Sequence, residues 1–191
     1  MKSLLGLVLG ALCTVSAQAG TIGLSSAPDA SSCDLIVPPE AGVGTFYVCA
    51  LSSTPEETCG GICGAEFRIE GLPSGWVAVA TPAPEATVVI GNPMGPGVNM
   101  GFPRVAEWGA TPVVLYRVVV CPPSAGASSV LRVAVHASPA WPELQCPSVA
   151  GACFDQWVHC VQGGALFINS SIPCTVAVSE KTWGQMKALY R

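Results

Sequence analysis

The side chains whose types and spacing could do chemistry are few in this chain. Glu66 and Glu70 stand four apart in the run Ala65-Glu66-Phe67-Arg68-Ile69-Glu70 and share one strand face, an arrangement that invites the paired-carboxylate hydrolysis of a glycosidase. On a single strand, however, they would sit about 13 Å apart, beyond the about 6.5–9.5 Å of an inverting pair, and both read as solvent-facing. A hydrolase would need carboxylates brought together by the fold. His136 has no activated serine to serve, since no G-x-S-x-G elbow occurs. His159 lies beside Cys160 and six residues after Cys153, which raises zinc or thiol chemistry, but the spacing matches no familiar structural site. Glu56 and Glu57 read as a solvated loop pair or a weak calcium contact without a D-x-D-x-D-G pattern around them. The Gly91–Gly97 cluster lacks the lysine of a phosphate-binding loop. No catalytic residue, cofactor or metal ligand is assigned from these patterns.

The tryptophans carry a different chemistry. Trp108 and Trp141 fall in Gly- or Pro-flanked segments where an indole can stand exposed, to stack on a sugar ring or to meet a protein, whereas Trp76 and Trp157 lie in strand patterns and read as core. The expected partner is a protein or a glycan at the cell surface. Nucleic acid is excluded, because Arg68, Arg104, Arg117 and Arg132 are scattered singly and the chain carries a formal charge of −4.

Lys2, the apolar run from Leu4 to Ala17 and the triplet Ala17-Gln18-Ala19 read as a secretory signal peptide over residues 1–19, cleaved near Ala19, and the shortness of that run argues against a membrane span. The mature chain then keeps nine of the ten cysteines. Outside the cytoplasm these are expected as disulfides, with Cys33, Cys59, Cys63, Cys146, Cys153, Cys160 and Cys174 as candidates and a local Cys59–Cys63 closure as one option. Cys49 and Cys121 sit inside or at the end of strongly apolar runs and are the candidates for buried, unpaired thiols.

What must position these groups is a β framework. Charged residues make up only 10% of the chain, while Gly and Pro number 21 and 17, a balance that favours a turn-rich extracellular β protein over a helical enzyme. Strands are expected at Thr21–Leu24, Gly44–Leu51, Ala65–Glu70, Trp76–Ala80, Thr87–Ile90, Val98–Phe102, Val113–Cys121 and Val130–Ala137. The last two are expected to neighbour one another across Pro122–Ala127, Ser138–Ala152 to be irregular, and Asp155–Val161 to form a hairpin with Ala165–Ile168. At the end, Ser179 can cap a helix that places Trp183, Met186, Leu189 and Tyr190 on one face, an amphipathic element that needs a surface to sit on.

The segments Gly64–Trp76, GAEFRIEGLPSGW, and Cys174–Arg191, CTVAVSEKTWGQMKALYR, resemble a group of secreted bacterial proteins, and the Gly/Ala-x-F-x-I strand is similar to the opening of cohesin-type sandwiches. That resemblance implies a recurring terminal unit for docking or surface sorting and implies no activity. The expected fold is an all-β, immunoglobulin-like or cohesin-like antiparallel sandwich with a short C-terminal amphipathic helix. Residues 20–173 form the disulfide-containing domain and 174–191 the tail. The expected function is a secreted or cell-surface, non-enzymatic binding or structural module, with a carbohydrate-binding module or a secreted hydrolase as alternatives.

Overall fold

A computed structural model describes residues 20–40, 42–52, 61–107, 112–151, 158–172 and 174. Trp108, Trp157, Cys59, Cys153 and the amphipathic tail with Trp183, Met186, Leu189 and Tyr190 lie outside these residues, as does the segment 1–19. The described chain is all-β. Its strands are β1 (Gly20–Ser25), β2 (Asp34–Leu35), β3 (Gly44–Ser52), β4 (Gly61–Glu70), β5 (Val77–Pro82), β6 (Val88–Asn92) and β7 (Gly97–Glu107). There follow β8 (Val113–Cys121), β9 (Ser129–Ala134), β10 (Ser148–Gly151), β11 (Val158–Cys160), β12 (Gln162–Gly163) and β13 (Ala165–Ile168).

Two sheets pack face to face. One has the order β12-β1-β3-β8-β5; the other runs β11-β10-β4-β9-β13-β2, with β7 added to β4 and β6 added to β7. The pairs are antiparallel except β1 with β12 and β13 with β2. Alternation explains the layering: Ile22, Phe46 and Val118 from the first sheet meet Phe67, Leu131 and Leu166 from the second, all fully buried. Phe67 and Tyr116 cross the interface edge to face, with centroids 6.1 Å apart and planes at 83°. The Tyr116 hydroxyl is buried there with no hydrogen-bond partner, and burial raises its pKa.

Three local readings are corrected by this topology. Val113–Cys121 forms a strand with the expected bounds, but β8 and β9 lie in opposite sheets, because β8 already has β3 and β5 on its two edges and the Pro122–Ala127 loop crosses the sandwich. Among the described residues the final hairpin does not form, residues 155–157 of its first strand lying outside them: β11 joins β10, β12 joins β1 across the sandwich, and β13 runs between β9 and β2. Ser138–Ala152 is not wholly irregular, since Ser148–Gly151 is a strand on β4. Gly71 ends β4 as expected, with φ +92°, and a side chain there would run into the Val130 carbonyl.

Candidate functional site

The eight-stranded sheet turns one row of side chains outward from the core. Pairing places Ile90, Asn99, Glu66 and Ser148 across β6, β7, β4 and β10, and beside them Val88, Gly101, Gly64 and Ala150. The second row is nearly bare: a Cβ on Gly64 would lie 3.0 Å from the Met100 carbonyl oxygen and 3.6 Å from the Ala150 Cβ. At the rim of this floor Val88 and Ile90 are 51% and 65% exposed.

Over the other side of the row stands an arch running from Ala137 to Gln145. Ala137 N–H donates to the Pro96 carbonyl at 2.7 Å, and Ala140 N–H donates to Glu66 Oε2 at 2.9 Å. Further along, Leu144 N–H donates to the Trp141 carbonyl at 2.9 Å and Gln145 Nε2 to the Pro142 carbonyl at 2.7 Å. The Cys146–Cys160 disulfide, with Cα atoms 5.7 Å apart, closes its far end. Pro139 and Pro142 stiffen it by fixing φ. Trp141 at its crown is 42% exposed, as its Pro-flanked setting led us to expect.

Glu66 is therefore not a solvent-facing residue. It is only 4% exposed, because the arch covers a position that alternation alone assigns to water. Its carboxylate is engaged by a backbone donor, while Glu70 forms an ion pair with Arg68. The two carboxylates thus have separate structural partners. Beside the arch lies an open depression of about 310 Å³, lined among others by Arg68, His136, Pro139, Pro142 and Gln145. The His136 Nδ1 accepts the Ser138 N–H at 3.0 Å, so a neutral imidazole carries its proton on Nε2. Gly97, at φ +131°, permits this pose, since a Cβ there would enter the His136 ring. Residue types and spacing did not identify Arg68, His136 or β6 as part of a site; the signal available was Pro139, Pro142 and Cys146 in one short segment, which marks a held loop.

The cysteines sort as follows. Cys33 pairs with Cys174 and Cys146 with Cys160. Cys49 and Cys121 are free thiols, Cys49 buried as expected and Cys121 only half-buried; Cys63 is free too, which corrects its place among the disulfide candidates and sets aside the optional closure with Cys59, and its thiol points back to the Ala150 and Gly151 carbonyls at 3.6 and 3.2 Å. Cys49 is fully buried beneath the Ser26–Ser32 loop, and burial, aided by the Asp29 charge, pushes its pKa up to about 12. His159 on β11 keeps a buried Nε2 with no partner. Among the described residues no three His, Cys, Asp or Glu side chains converge to hold a metal, and no helix is long and apolar enough to cross a membrane.

No protein-family model matches this chain, and no curated protein matches it in sequence. Solved structures do resemble it. The cohesin module of a family 33 glycoside hydrolase from Clostridium perfringens ATCC13124 superposes with a TM-score of 0.54 at 11% identity, over 80% of this chain and 96% of that one. The seventh type I cohesin of ScaB from Pseudobacteroides cellulosolvens gives 0.43 at 10% identity, over 74% and 95%. The first of these likenesses shows a shared fold, which bears out the cohesin-like sandwich read from the Gly64–Ile69 strand.

Proposed function

We propose that this protein is a non-enzymatic binding module that works outside the cytoplasm and engages a protein partner on the outer face of its eight-stranded sheet. The observation that carries this reading is the exposed Trp141 on an arch fixed at Pro96, Glu66 and the Cys146 disulfide, on the same sheet face as the exposed Val88 and Ile90 and the glycine floor. A rigid aromatic anchor beside aliphatic surface is the composition of an interaction hot spot. The shared fold adds support, because the solved neighbour is a cohesin module of a family 33 glycoside hydrolase. The two disulfides favour an oxidising compartment. In this reading residues 1–19 are the leader and 174–191 a docking or sorting tail.

A glycan is the second reading, favoured by one feature: the arch that carries Trp141 also borders an open depression with polar groups from Arg68, His136 and Gln145. Retention on the immobilised mature chain separates the two, using extracytoplasmic proteins of the producing cell in one arm and a polysaccharide panel in the other. The expected result is saturable retention of a protein, weakened at least about tenfold by Trp141→Ala. Retention of polysaccharide alone, or of a protein indifferent to Trp141→Ala, would overturn the proposal.

A further inference from the structure

The five-stranded sheet is apolar on both of its faces at one end. On β5, Ala78 and Ala80 pack against the core, while Val77 and Val79 point outward and are 61% and 59% exposed. Their neighbours on β8 are Cys121 and Val119, both half-buried, and Val119 pairs in turn with Thr45 of β3. The next outward row is Tyr47, Arg117 and Thr81. Strands that carry apolar side chains on both sides belong to sheets covered on both sides. The Ser26–Ser32 loop covers this face at Cys49, yet the valines of β5 stand bare among the described residues.

We infer that residues 175–191 of this chain, which follow the last described residue, dock on this face as a third layer, with Trp183, Met186, Leu189 and Tyr190 against Val77, Val79 and Val119. The choice of occupant rests on where the tail is tied, how far it reaches and how it is charged. Cys174 is held twice: by the disulfide to Cys33, and by its N–H, which donates to both oxygens of the Asp34 carboxylate at 3.1 and 3.2 Å. Cys33 directly follows the loop over Cys49. In that loop the Ser32 carbonyl accepts from Ser25 Oγ at 2.7 Å, and Ser25 pairs with Tyr47. The tail thus leaves the domain beside the row of Tyr47, Arg117 and Thr81, on the rim of the face it is to cover.

Reach is sufficient. Strand β5 lies two strand spacings from β3, about 10 Å, and residues 175–179 span about 16 Å when extended. The helix read from Glu180 onward is about 18 Å long, enough to cross β3, β8 and β5. Gly184 lowers its intrinsic helicity, so it gains from forming on a surface. The tether makes docking intramolecular, so a weak contact suffices. Charge points the same way. Residues 20–174 carry four arginines against eleven Asp and Glu, whereas the tail carries Lys181, Lys187 and Arg191 against Glu180. Asp29, on the loop over Cys49, and Glu85, just past β5, are exposed at the margins of the face. The docking tail of the reading above thereby gains a surface on its own domain, and the Trp141 face stays open. This contact does not depend on the partner proposed there and is tested without one.

Cys121 reports the covered face directly, since it is a free thiol in these rows, and Cys63, a free thiol on the eight-stranded sheet, serves as internal reference. Alkylation of the mature chain is followed thiol by thiol with peptide mass mapping. It is expected to run at least about tenfold faster at Cys121 in Val79→Lys and in Trp183→Ala than in wild type, with Cys63 within about twofold. Amide exchange supplies a second readout. Residues 182–191 should be protected in wild type, equally at all protein concentrations, and lose that protection in both variants, while unchanged amides in β3 and β4 confirm that each variant folds. A Cys121 rate indifferent to both substitutions, or tail amides that exchange as an unstructured chain does, would overturn the inference. So would protection that grows with concentration, which moves the tail to a second copy. Protein recovered from the producing cell without the residues after Cys174 would overturn it too, by making the tail a processed sorting signal.

Discussion

The outer faces of the two sheets solve one problem in two ways. On the five-stranded sheet, the Ser26–Ser32 loop lies over Cys49; on the eight-stranded sheet, the Ala137–Gln145 arch lies over Glu66. Both covered residues lie on strand faces turned away from the core, and both loops run into a disulfide cysteine, Cys33 and Cys146. The first loop is knit to itself: Ser25 Oγ donates to the Ser32 carbonyl at 2.7 Å and accepts the Ala27 N–H at 3.1 Å. It closes over a thiol, which tolerates an apolar lid. The second loop covers a carboxylate, which does not, and so it must bring a backbone donor and stand off the sheet. That requirement accompanies the open depression at Arg68 and His136 and an indole left facing outward. What lies beneath a loop thus decides how closely it can seal.

The comparison is tested most strongly at the disulfides. Loop-closure entropy predicts that Cys33→Ser, which opens a bridge spanning 141 residues, lowers unfolding stability by about 5 kcal/mol, and that Cys146→Ser, spanning 14, costs about 3 kcal/mol. Denaturant unfolding of the two variants should show that order; equal losses would mean that the bridges act through local strain and not chain entropy. Next in size is the anchor itself. Glu66→Ala leaves the Ala140 N–H without its partner and should cost about 2 kcal/mol, with faster amide exchange through the arch, while Glu66→Gln, which keeps an acceptor, should recover part of the loss. If exchange in the arch does not change, the carboxylate is not what holds it.

The sealed thiol gives a pH signature. Because the folded-state pKa of Cys49 lies above its unfolded value near 9.0, its contribution to stability is complete below pH 9 and is lost as pH rises towards about 12. The loss should approach about 1.4 kcal/mol per pH unit in that window and be absent from Cys49→Ala, whose stability should fall less steeply on alkaline titration. Smallest is a control placed between the faces. Tyr116→Phe removes a buried hydroxyl with no partner and should raise stability by about 1 kcal/mol, detectable as a higher midpoint of denaturant unfolding. A lower midpoint would show that the hydroxyl does find a bond in solution.

Much of this molecule is legible residue by residue. The alternation of Ala65, Phe67 and Ile69 places β4 against the core, and Val113–Cys121 forms a strand with the bounds read from its apolar run. The central place of β3 follows from being apolar on both faces, and Trp76 is buried as its strand context implied. Trp141 stands exposed for the reason its Pro-flanked setting suggested. Less was legible wherever two distant segments compete. Nothing local tells β9 to pair with β4 and β13 instead of its sequence neighbour β8, or β12 to join β1 across the sandwich. Glu66 was misread for the same reason, since the segment that covers it begins more than seventy residues later.

By itself the sequence determined the all-β class, most of the strands and the turns between them, because side-chain alternation and backbone restriction at Gly and Pro act over two to ten residues. Tertiary structure alone decided which sheet each strand joins and which carboxylate is buried. Those outcomes depend on contacts between segments far apart in the chain, whose energies no local pattern records.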